Sequence, residues 1–187
     1  MRYTESAGNE DDILQGKDMY LRKMTEDDTD LIVKWRNQDF VRENFIYQKP
    51  FTRQGHRSWI ENMIKTGRVV QFVICTARGT PVGSVYLRDI DRDHKKAEYG
   101  IFIGEREAMG RGYGTQAAEL MIRYSFEKLG LHKLMLRVLA GNDRARKSYE
   151  RAGFVQEAYL RDEVYLAGRY RDVILMAVIN SAKQEAM

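Results

Sequence analysis

Residues 97–140 constrain the fold more than any other stretch of the sequence. "AEYGIFI" (97–103) resembles a buried strand, a glycine-rich turn follows, a helical pattern runs over about 114–129, and "HKLMLRVLA" (132–140) forms a second strand. The helical segment places its apolar and small residues at the spacing of one buried face: Ala118, Met121, Ile122, Ser125, Phe126 and Leu129. Two strands joined through a helix are expected to lie parallel. This β-α-β unit predicts an α/β fold.

The rest of the chain predicts antiparallel strands and short helices around that unit. Further strands are expected at about 18–24, 69–77, 81–90, 154–165 and 170–179, and helices at about 25–35, 53–66 and 142–153. No repeat or linker interrupts the pattern. The prediction is a loose tail at 1–15 and one domain over 16–187, with a mixed sheet of about seven strands and about four helices.

Composition excludes several classes of protein. The chain has 187 residues, 43% hydrophobic and 31% charged, which fits neither a disordered chain nor a disulfide scaffold. The longest apolar run, 173–179, is too short to cross a bilayer, and no basic-then-apolar leader opens the chain, so a cytoplasmic protein without membrane association is predicted. No two of the three histidines have metal-ligand spacing, so no metal is predicted.

The charge is uneven along the chain. The net charge is +4, and residues 1–12 contribute −3 (four acidic residues against Arg2), which leaves +7 for the remainder by subtraction. A basic body favours anionic ligands such as nucleic acid, nucleotides or a phosphorylated cofactor. An ordinary solvated surface explains the same charge equally well.

The stretch "MGRGYGT" (109–115) allows three interpretations. A glycine-rich turn that enters a helix presents free backbone N–H groups to a phosphate. The spacing is neither that of a P-loop nor that of a dinucleotide-binding fingerprint. Residues 111–114 match the start of an RNA-binding RNP1 strand, but residues 115–118 then lack its aromatic and β-branched positions. From these residues alone, a phosphate cradle and a plain loop both stay open.

Two longer segments, "GRGYGTQAAELMIRYSF" and "LHKLMLRVLAGNDRARKSYERAGF", resemble the acetyl-CoA-binding half of the GNAT superfamily of N-acetyltransferases. The family motif (Gln or Arg, two residues, Gly, one residue, Gly or Ala) falls on 109–114, where Met109 replaces the usual Gln or Arg. The family's Asn, Tyr and Gly-Phe positions fall on Asn142, Tyr149 and 153–154. The resemblance covers 97–179 well and the earlier part more loosely.

The resemblance implies a site for acetyl-CoA as co-substrate. Backbone amides of 111–115 would hold the pyrophosphate, and strand 101–103 would pair with the pantetheine arm and lead the thioester to a gap between strands. The cofactor-binding residues implied are Ile101, Phe102, Ile103, Met109, Gly110, Arg111, Gly112, Tyr113, Gly114, Thr115, Asn142 and Lys147. The alternative for Asn142 is a helix cap alone.

The resemblance also implies two catalytic residues. Acyl transfer needs a neutral amine, donors for the developing oxyanion and a proton for the departing thiolate. Tyr149 is the implied proton donor, although its spacing alone favours a core tyrosine. Glu98 is the candidate base, directly or through water, and an exposed strand-edge glutamate is its alternative. A backbone N–H near 101–103 is the candidate oxyanion donor.

Residues 33–63 are similar to GNAT enzymes that acetylate nucleotide-linked amino sugars. The predicted substrate-binding residues are Arg36, Phe45, Tyr47, His56 and Trp59. Their alternatives are a helix-surface cation near Asp39 for Arg36, and core-covering aromatic residues for Phe45 and Tyr47. The predicted acceptor is a primary amine of a small molecule, with a nucleotide-linked amino sugar as one example.

Three other functions stay open at this point. A protein N-terminal acetyltransferase of the ribosomal-protein type and a polyamine acetyltransferase share the same layout, although a basic body disfavours polyamines. A non-catalytic RNA-binding module fits the "RGYG" stretch and the sequence pI of about 9.1, but not the helix after it. Members of the family often pair through their later strands, so a homodimer is expected by resemblance, although residues 154–179 do not themselves indicate one.

Overall fold

A mixed sheet of eight strands carries the fold in a computed structural model that describes residues 13–181. The strands are β1 (Ile13–Gln15), β2 (Met19–Lys23), β3 (Val70–Thr76), β4 (Pro81–Asp91), β5 (Lys96–Ile103), β6 (Lys133–Leu139), β7 (Val155–Leu166) and β8 (Arg169–Ile179). The helices are α1 (Thr29–Asn37), α2 (Asp39–Arg42), α3 (Arg53–Trp59), α4 (Tyr113–Arg123) and α5 (Asp143–Arg151). The sheet order is β1-β2-β3-β4-β5-β6-β8-β7. This architecture confirms the predicted α/β fold.

Apolar side chains cover both faces of the sheet. Along β3, Phe72 and Ile74 belong to the cluster that packs under α4, whereas Val73 and Cys75 belong to the cluster that packs under α1 and α2. This alternation is the period of two expected of a strand buried on both faces. The core therefore has two layers, one on each side of the sheet.

Three local predictions differ from the structure. Residues 13–15, predicted as part of the tail, form β1 and pair with β2, and residues 1–12 lie outside the described residues. The four-residue helix α2 is absent from the prediction, because one helical turn is too short to show a period. The helices predicted at 53–66 and 114–129 each change to a π-helical turn, at Ile60–Ile64 and Tyr124–Lys128. None of these differences alters the topology.

The strands β5 and β6 pair over only a few residues, and the candidate site lies where this pairing ends. These strands are parallel, as the β-α-β unit predicts, but they pair only from Lys96↔Lys133 to Glu98↔Met135. Both strands continue beyond that point, to Ile103 and Leu139, without pairing to each other. The strands therefore diverge, and on the β6 side the main chain of β5 beyond Glu98 faces a gap rather than a neighbouring strand, while its other edge stays paired with β4.

Candidate active site

A continuous cleft of about 1210 Å³ opens where β5 and β6 diverge. Elements from both faces of the sheet line it. We call residues 101–103, 109–115 and 142–149 the cofactor arm, and the side chains of Arg36, Phe45, Phe51, His56 and Trp59 the acceptor chamber. Because both groups line one cleft, a ligand held by one can meet a ligand held by the other.

The glycine loop of the cofactor arm has the geometry of an anion site. Gly110 and Gly112 have φ angles of 78° and 82°, a region that glycine enters without a steric penalty. Among residues 13–181, no acceptor takes a hydrogen bond from the backbone N–H groups of 110–115, and the first helical bond runs from Gln116 N to Gly112 O at 3.1 Å. A run of six such donors at a helix N-terminus suits a phosphate group. Because Tyr113 begins α4, the RNP1-strand interpretation is wrong.

Helix α5 lies close to this loop. A Cβ on Gly114 would lie 3.4 Å from Ser148 Oγ, and a Cβ on Gly110 would lie 3.7 Å from Arg144 Nη2. Asn142 Oδ1 accepts a hydrogen bond from Ala145 N at 3.1 Å, so its predicted role as a helix cap is confirmed and its cofactor contact stays a prediction. The loop and α5 together line one corner of the cleft, with the Arg144 guanidinium beside Gly110.

Most of the predicted cofactor residues line the cleft. Ile101, Phe102, Ile103, Met109, Gly110, Gly112, Tyr113, Gly114, Thr115 and Asn142 all do so. The side chains of Arg111 and Lys147 are exposed and are not among the lining residues. Met109 packs in the apolar cluster around Trp35, which explains an apolar residue at the motif position where Gln or Arg is usual. For Arg111, the backbone N–H is therefore the relevant group.

Tyr149 lies on α5 and joins an aromatic cluster. Its ring centroid is 6.1 Å from that of Tyr99 and 6.1 Å from that of Phe154, with edge-to-face geometry in both contacts. Its hydroxyl donates to no acceptor in the described part of the chain, although the side chain lines the cleft. Burial raises the pKa of Tyr149, and the nearby Tyr86 raises it further. The phenol is therefore protonated at neutral pH, and its O–H has no hydrogen-bond acceptor in the described part of the chain.

Glu98 lies at the last position where β5 pairs with β6. Its Oε1 accepts a hydrogen bond from Arg88 Nη2 at 2.6 Å, and its Oε2 lies 3.4 Å from Arg137 Nη2. The side chain is only 19% exposed, so the alternative of an exposed strand-edge glutamate is wrong. The two guanidinium groups make three hydrogen bonds to Oε1 and one, at 3.4 Å, to Oε2, so Oε2 keeps an acceptor position for a water molecule.

Arg36 of α1 lies over aromatic rings in the acceptor chamber. Its guanidinium carbon is 3.4 Å from the Phe45 ring centroid and 5.3 Å from that of Phe51. Asp39 pairs instead with Arg42 at 2.7 Å, so the alternative of a surface cation near Asp39 is wrong. Burial lowers the pKa of Arg36, but a guanidinium starts so high that it stays charged.

His56 is the buried polar residue of the chamber. Its Nδ1 lies 3.1 Å from Thr29 Oγ1, whereas its Nε2 is buried with no partner in residues 13–181. Burial lowers the pKa of His56, which favours the neutral ring. Trp59 Nε1 donates to Gln71 Oε1 at 3.1 Å. Tyr47, 57% exposed, completes the five predicted acceptor residues, all of which line the cleft.

Several residues that line the cleft are absent from the prediction. Among them are five arginines and one tyrosine: Tyr86, Arg88, Arg106, Arg137, Arg144 and Arg151. The Tyr86 ring lies against the backbone of Gly100, where a Cβ would come within 2.3 Å of Tyr86 Cζ. A glycine inside a strand often marks such a close approach, so Gly100 was the one available signal.

Membrane-spanning helices and metal-binding clusters are absent from the described range. No helix within 13–181 is long and apolar enough to span a bilayer. No three metal-ligating side chains come together in that range. The cytoplasmic location, the homodimer and the lack of a metal stay predictions.

Comparison with known proteins gives a family for this arrangement. A family model described as an acetyltransferase (GNAT) domain matches residues 18–155, which is most of the chain. The match includes the glycine loop, Glu98, Tyr149 and all five predicted acceptor residues. It agrees with the resemblance seen in the sequence.

Individual relatives agree with that family. The chain is 37% identical over 111 residues to a spermidine N(1)-acetyltransferase of Vibrio cholerae, and 38% identical over 139 residues to a spermidine N(1)-acetyltransferase of Escherichia coli K12. It is 33% identical over 101 residues to a putative ribosomal N-acetyltransferase, YdaF, of Bacillus subtilis. These alignments cover 59%, 74% and 54% of this chain, and 64%, 67% and 55% of the respective relatives. Two of the three therefore span less than two thirds of the relative.

A solved structure extends the likeness to nearly the whole fold. The spermidine N-acetyltransferase of Vibrio cholerae in complex with CoA and spermine superposes with a TM-score of 0.82 at 29% identity. The superposition covers 88% of this chain and 96% of that one. That complex holds CoA within the same fold.

Proposed function

Because the chain belongs to the acetyltransferase (GNAT) family, we propose that it transfers an acetyl group from acetyl-CoA to a primary amine of a small molecule. One observation carries the proposal: six consecutive backbone N–H groups, 110–115, are without acceptors in the described residues and lie beside the gap between β5 and β6. A phosphate-bearing cofactor satisfies those donors. The gap then gives its acyl end a path toward the acceptor chamber.

The cofactor arm fits acetyl-CoA by its donor chemistry. The N–H groups of 111–115 would hold the pyrophosphate, with Arg144 adding positive charge beside Gly110. Main-chain groups of 101–103 would bind the pantetheine amides across the gap. When bound there, acetyl-CoA supplies an activated acetyl thioester. Asn142 and Lys147 would contact the cofactor from α5 and remain the weaker assignments, since one is a cap and the other is exposed.

Two side chains handle the protons of the reaction. Transfer forms a C–N bond and breaks a C–S bond, so one proton must leave the amine and one must reach the departing sulfur. Glu98, held between Arg88 and Arg137, would take the amine proton through a water molecule. Tyr149, which is protonated and whose hydroxyl donates to no other group in the described residues, would give its proton to the sulfur. A backbone N–H of 101–103 would stabilise the oxygen of the reacting carbonyl.

Spermidine is the second candidate acceptor, because two of the relatives are named for it. None of the relatives described above is named for an amino sugar, the predicted example of an acceptor. The charge of the cleft lining disfavours spermidine, because the lining holds six arginines but only two glutamates, Glu43 and Glu98. A polycation gains little from such a lining.

Replacing Tyr149 by Phe tests the proposed reaction. Loss of the proton donor should lower kcat by about a hundredfold, since general acid catalysis contributes on this order. The affinity for acetyl-CoA should stay within about twofold, because the backbone donors are untouched. The measurement is steady-state release of free CoA, beside calorimetric titration with acetyl-CoA.

Tyr165→Phe is the matched control, since Tyr165 is 63% exposed on β7 and lies outside the cleft. It should leave both quantities unchanged. Wild-type turnover in Tyr149→Phe would remove this hydroxyl from the mechanism. A loss of acetyl-CoA binding in Tyr149→Phe would mean that the residue acts by packing alone.

A further inference from the structure

Arg36 has no anionic partner in the part of the chain that the structure describes. Its side chain makes no hydrogen bond and no ion pair there, and its Nη1 is buried without an acceptor. Its main contact is the Phe45 ring at 3.4 Å. Burying a charge without a counter-charge costs more free energy than one cation–π contact returns. The guanidinium is incompletely satisfied until something else supplies an anion.

Acidic residues on the surrounding elements do not fill this role. Four of them have other partners: Asp30 pairs with Arg53, Asp39 with Arg42, Glu98 with Arg88, and Glu105 with Lys34 and the indole of Trp35. Glu43 also lines the cleft, but it is exposed and forms no ion pair with Arg36. The chamber therefore keeps a cation available.

Aromatic packing holds that cation in one place. The ring centroid of Phe51 lies 5.3 Å from the guanidinium carbon of Arg36 and 5.9 Å from the ring centroid of His56. Phe102 adds a third ring at 5.8 Å from the same guanidinium carbon. His56 Nε2 is a second buried nitrogen without a partner among residues 13–181. The two residues that carry unsatisfied nitrogens, Arg36 and His56, thus lie near the same ring of the chamber.

We propose that Arg36 binds a carboxylate or phosphate group of the acceptor, so that the substrates are amines that also carry an anionic group. This inference rests on the proposed acetyl transfer and narrows its acceptor. A guanidinium offers paired N–H donors that match either oxyanion. His56 Nε2 contributes a further polar contact to the same molecule. Spermidine lacks any anionic group and meets a fixed positive charge instead.

Matched pairs of amines test this inference. Glucosamine 6-phosphate is compared with glucosamine, and β-alanine with 3-aminopropanol, so that each pair differs in one anionic group; spermidine is the fifth substrate. The wild-type protein should show kcat/KM about tenfold or more higher for the anionic member of at least one pair, as expected for a charge-assisted contact. The pair that shows the preference identifies phosphate or carboxylate as the source.

Variants of Arg36 assign that preference to the side chain. Arg36→Met should abolish it, because kcat/KM for the anionic member of the pair should fall to that of the neutral member when the contact with the anion is lost. Arg57→Met is the control for one positive charge, since Arg57 is exposed on α3 and does not line the cleft, and it should keep the preference. If a thermal melt shows that Arg36→Met does not fold, Arg36→Lys replaces it as the test. Arg36→Lys should reduce the preference for the anionic amine about threefold or more, because lysine lacks the paired donors.

The outcomes separate this inference from the proposed function. If acetyl-CoA binds and spermidine or the neutral amines are the best substrates, the anionic-amine inference is overturned and the acetyltransferase proposal stands. An unchanged preference in Arg36→Met overturns it as well. If acetyl-CoA does not bind in a calorimetric titration, the proposed function falls and the inference falls with it.

Discussion

The cofactor arm and the acceptor chamber would bind their proposed ligands through different parts of the chain. In the cofactor arm, backbone N–H groups of 110–115 are the donors, and glycines at positive φ shape them. In the acceptor chamber, the lining groups are side chains of α1, α3 and the segment between them, and Arg36 and His56 carry its unsatisfied nitrogens. A site built from backbone N–H groups can tolerate substitutions of its own residues, whereas a site built from side chains can change its ligand preference with one substitution. The two halves of one reaction can therefore vary independently.

Glu98 marks the junction of the two regions, and its replacement should have the largest effect. Glu98→Gln keeps the shape of the side chain but removes the charge that is proposed to accept the amine proton. We expect kcat to fall by about a hundredfold, the usual order for loss of a general base, with acetyl-CoA affinity unchanged. Steady-state rates and calorimetry measure the two quantities.

Glu157→Gln is the control for losing an ion-paired carboxylate. Glu157 pairs with Lys133 at 2.7 Å and lies outside the cleft lining, so turnover should stay at the wild-type rate. A Glu98→Gln enzyme with normal kcat would show that the carboxylate only neutralises Arg88 and Arg137.

Gly112→Val tests the backbone half of the comparison, with a smaller expected effect. A β-branched residue at a φ of 82° is strained, so the loop must turn and its N–H groups lose their common direction. The dissociation constant for acetyl-CoA should rise about tenfold or more, which corresponds to about 1.4 kcal/mol. Calorimetric titration measures it directly.

Gly168→Val is the control, because it introduces the same kind of backbone strain away from the glycine loop. Gly168 has a φ of 79° and lies in the β7–β8 turn. A Cβ on Gly168 would meet no atom within 4 Å, and a Cβ on Gly112 would meet only Gln116 Nε2, at 4.0 Å. Both variants should lose similar thermal stability, and only Gly112→Val should lose cofactor affinity. Equal cofactor affinity in the two variants would contradict the phosphate cradle.

The same contrast explains what can be predicted from the sequence. The β5–α4–β6 unit is predicted closely because its apolar residues repeat with clear periods, and the glycine loop is predicted because backbone binding leaves glycines in the sequence. Strand β1 has only three residues, too few for a period, so the sequence pattern places it in the tail. Local pattern thus determines the cofactor arm and the sheet.

Side-chain partners are harder to predict because they depend on where elements end. Asp39 is three residues after Arg36, a spacing that joins side chains within one helix. However, α1 ends at Asn37 and Asp39 begins α2, so Asp39 pairs with Arg42 instead. The arginines that hold Glu98 come from the neighbouring strands β4 and β6. Such contacts follow from sheet order, which the local pattern does not contain.

Calorimetric titration of the wild-type protein with acetyl-CoA, run beside a short single-stranded RNA, tests the central claim most directly. The unsatisfied N–H groups of 110–115 predict one acetyl-CoA bound per chain and no salt-sensitive binding of the RNA. Binding of the RNA without binding of acetyl-CoA would contradict the cradle, and the roles proposed for Tyr149, Glu98 and Arg36 would be lost with it.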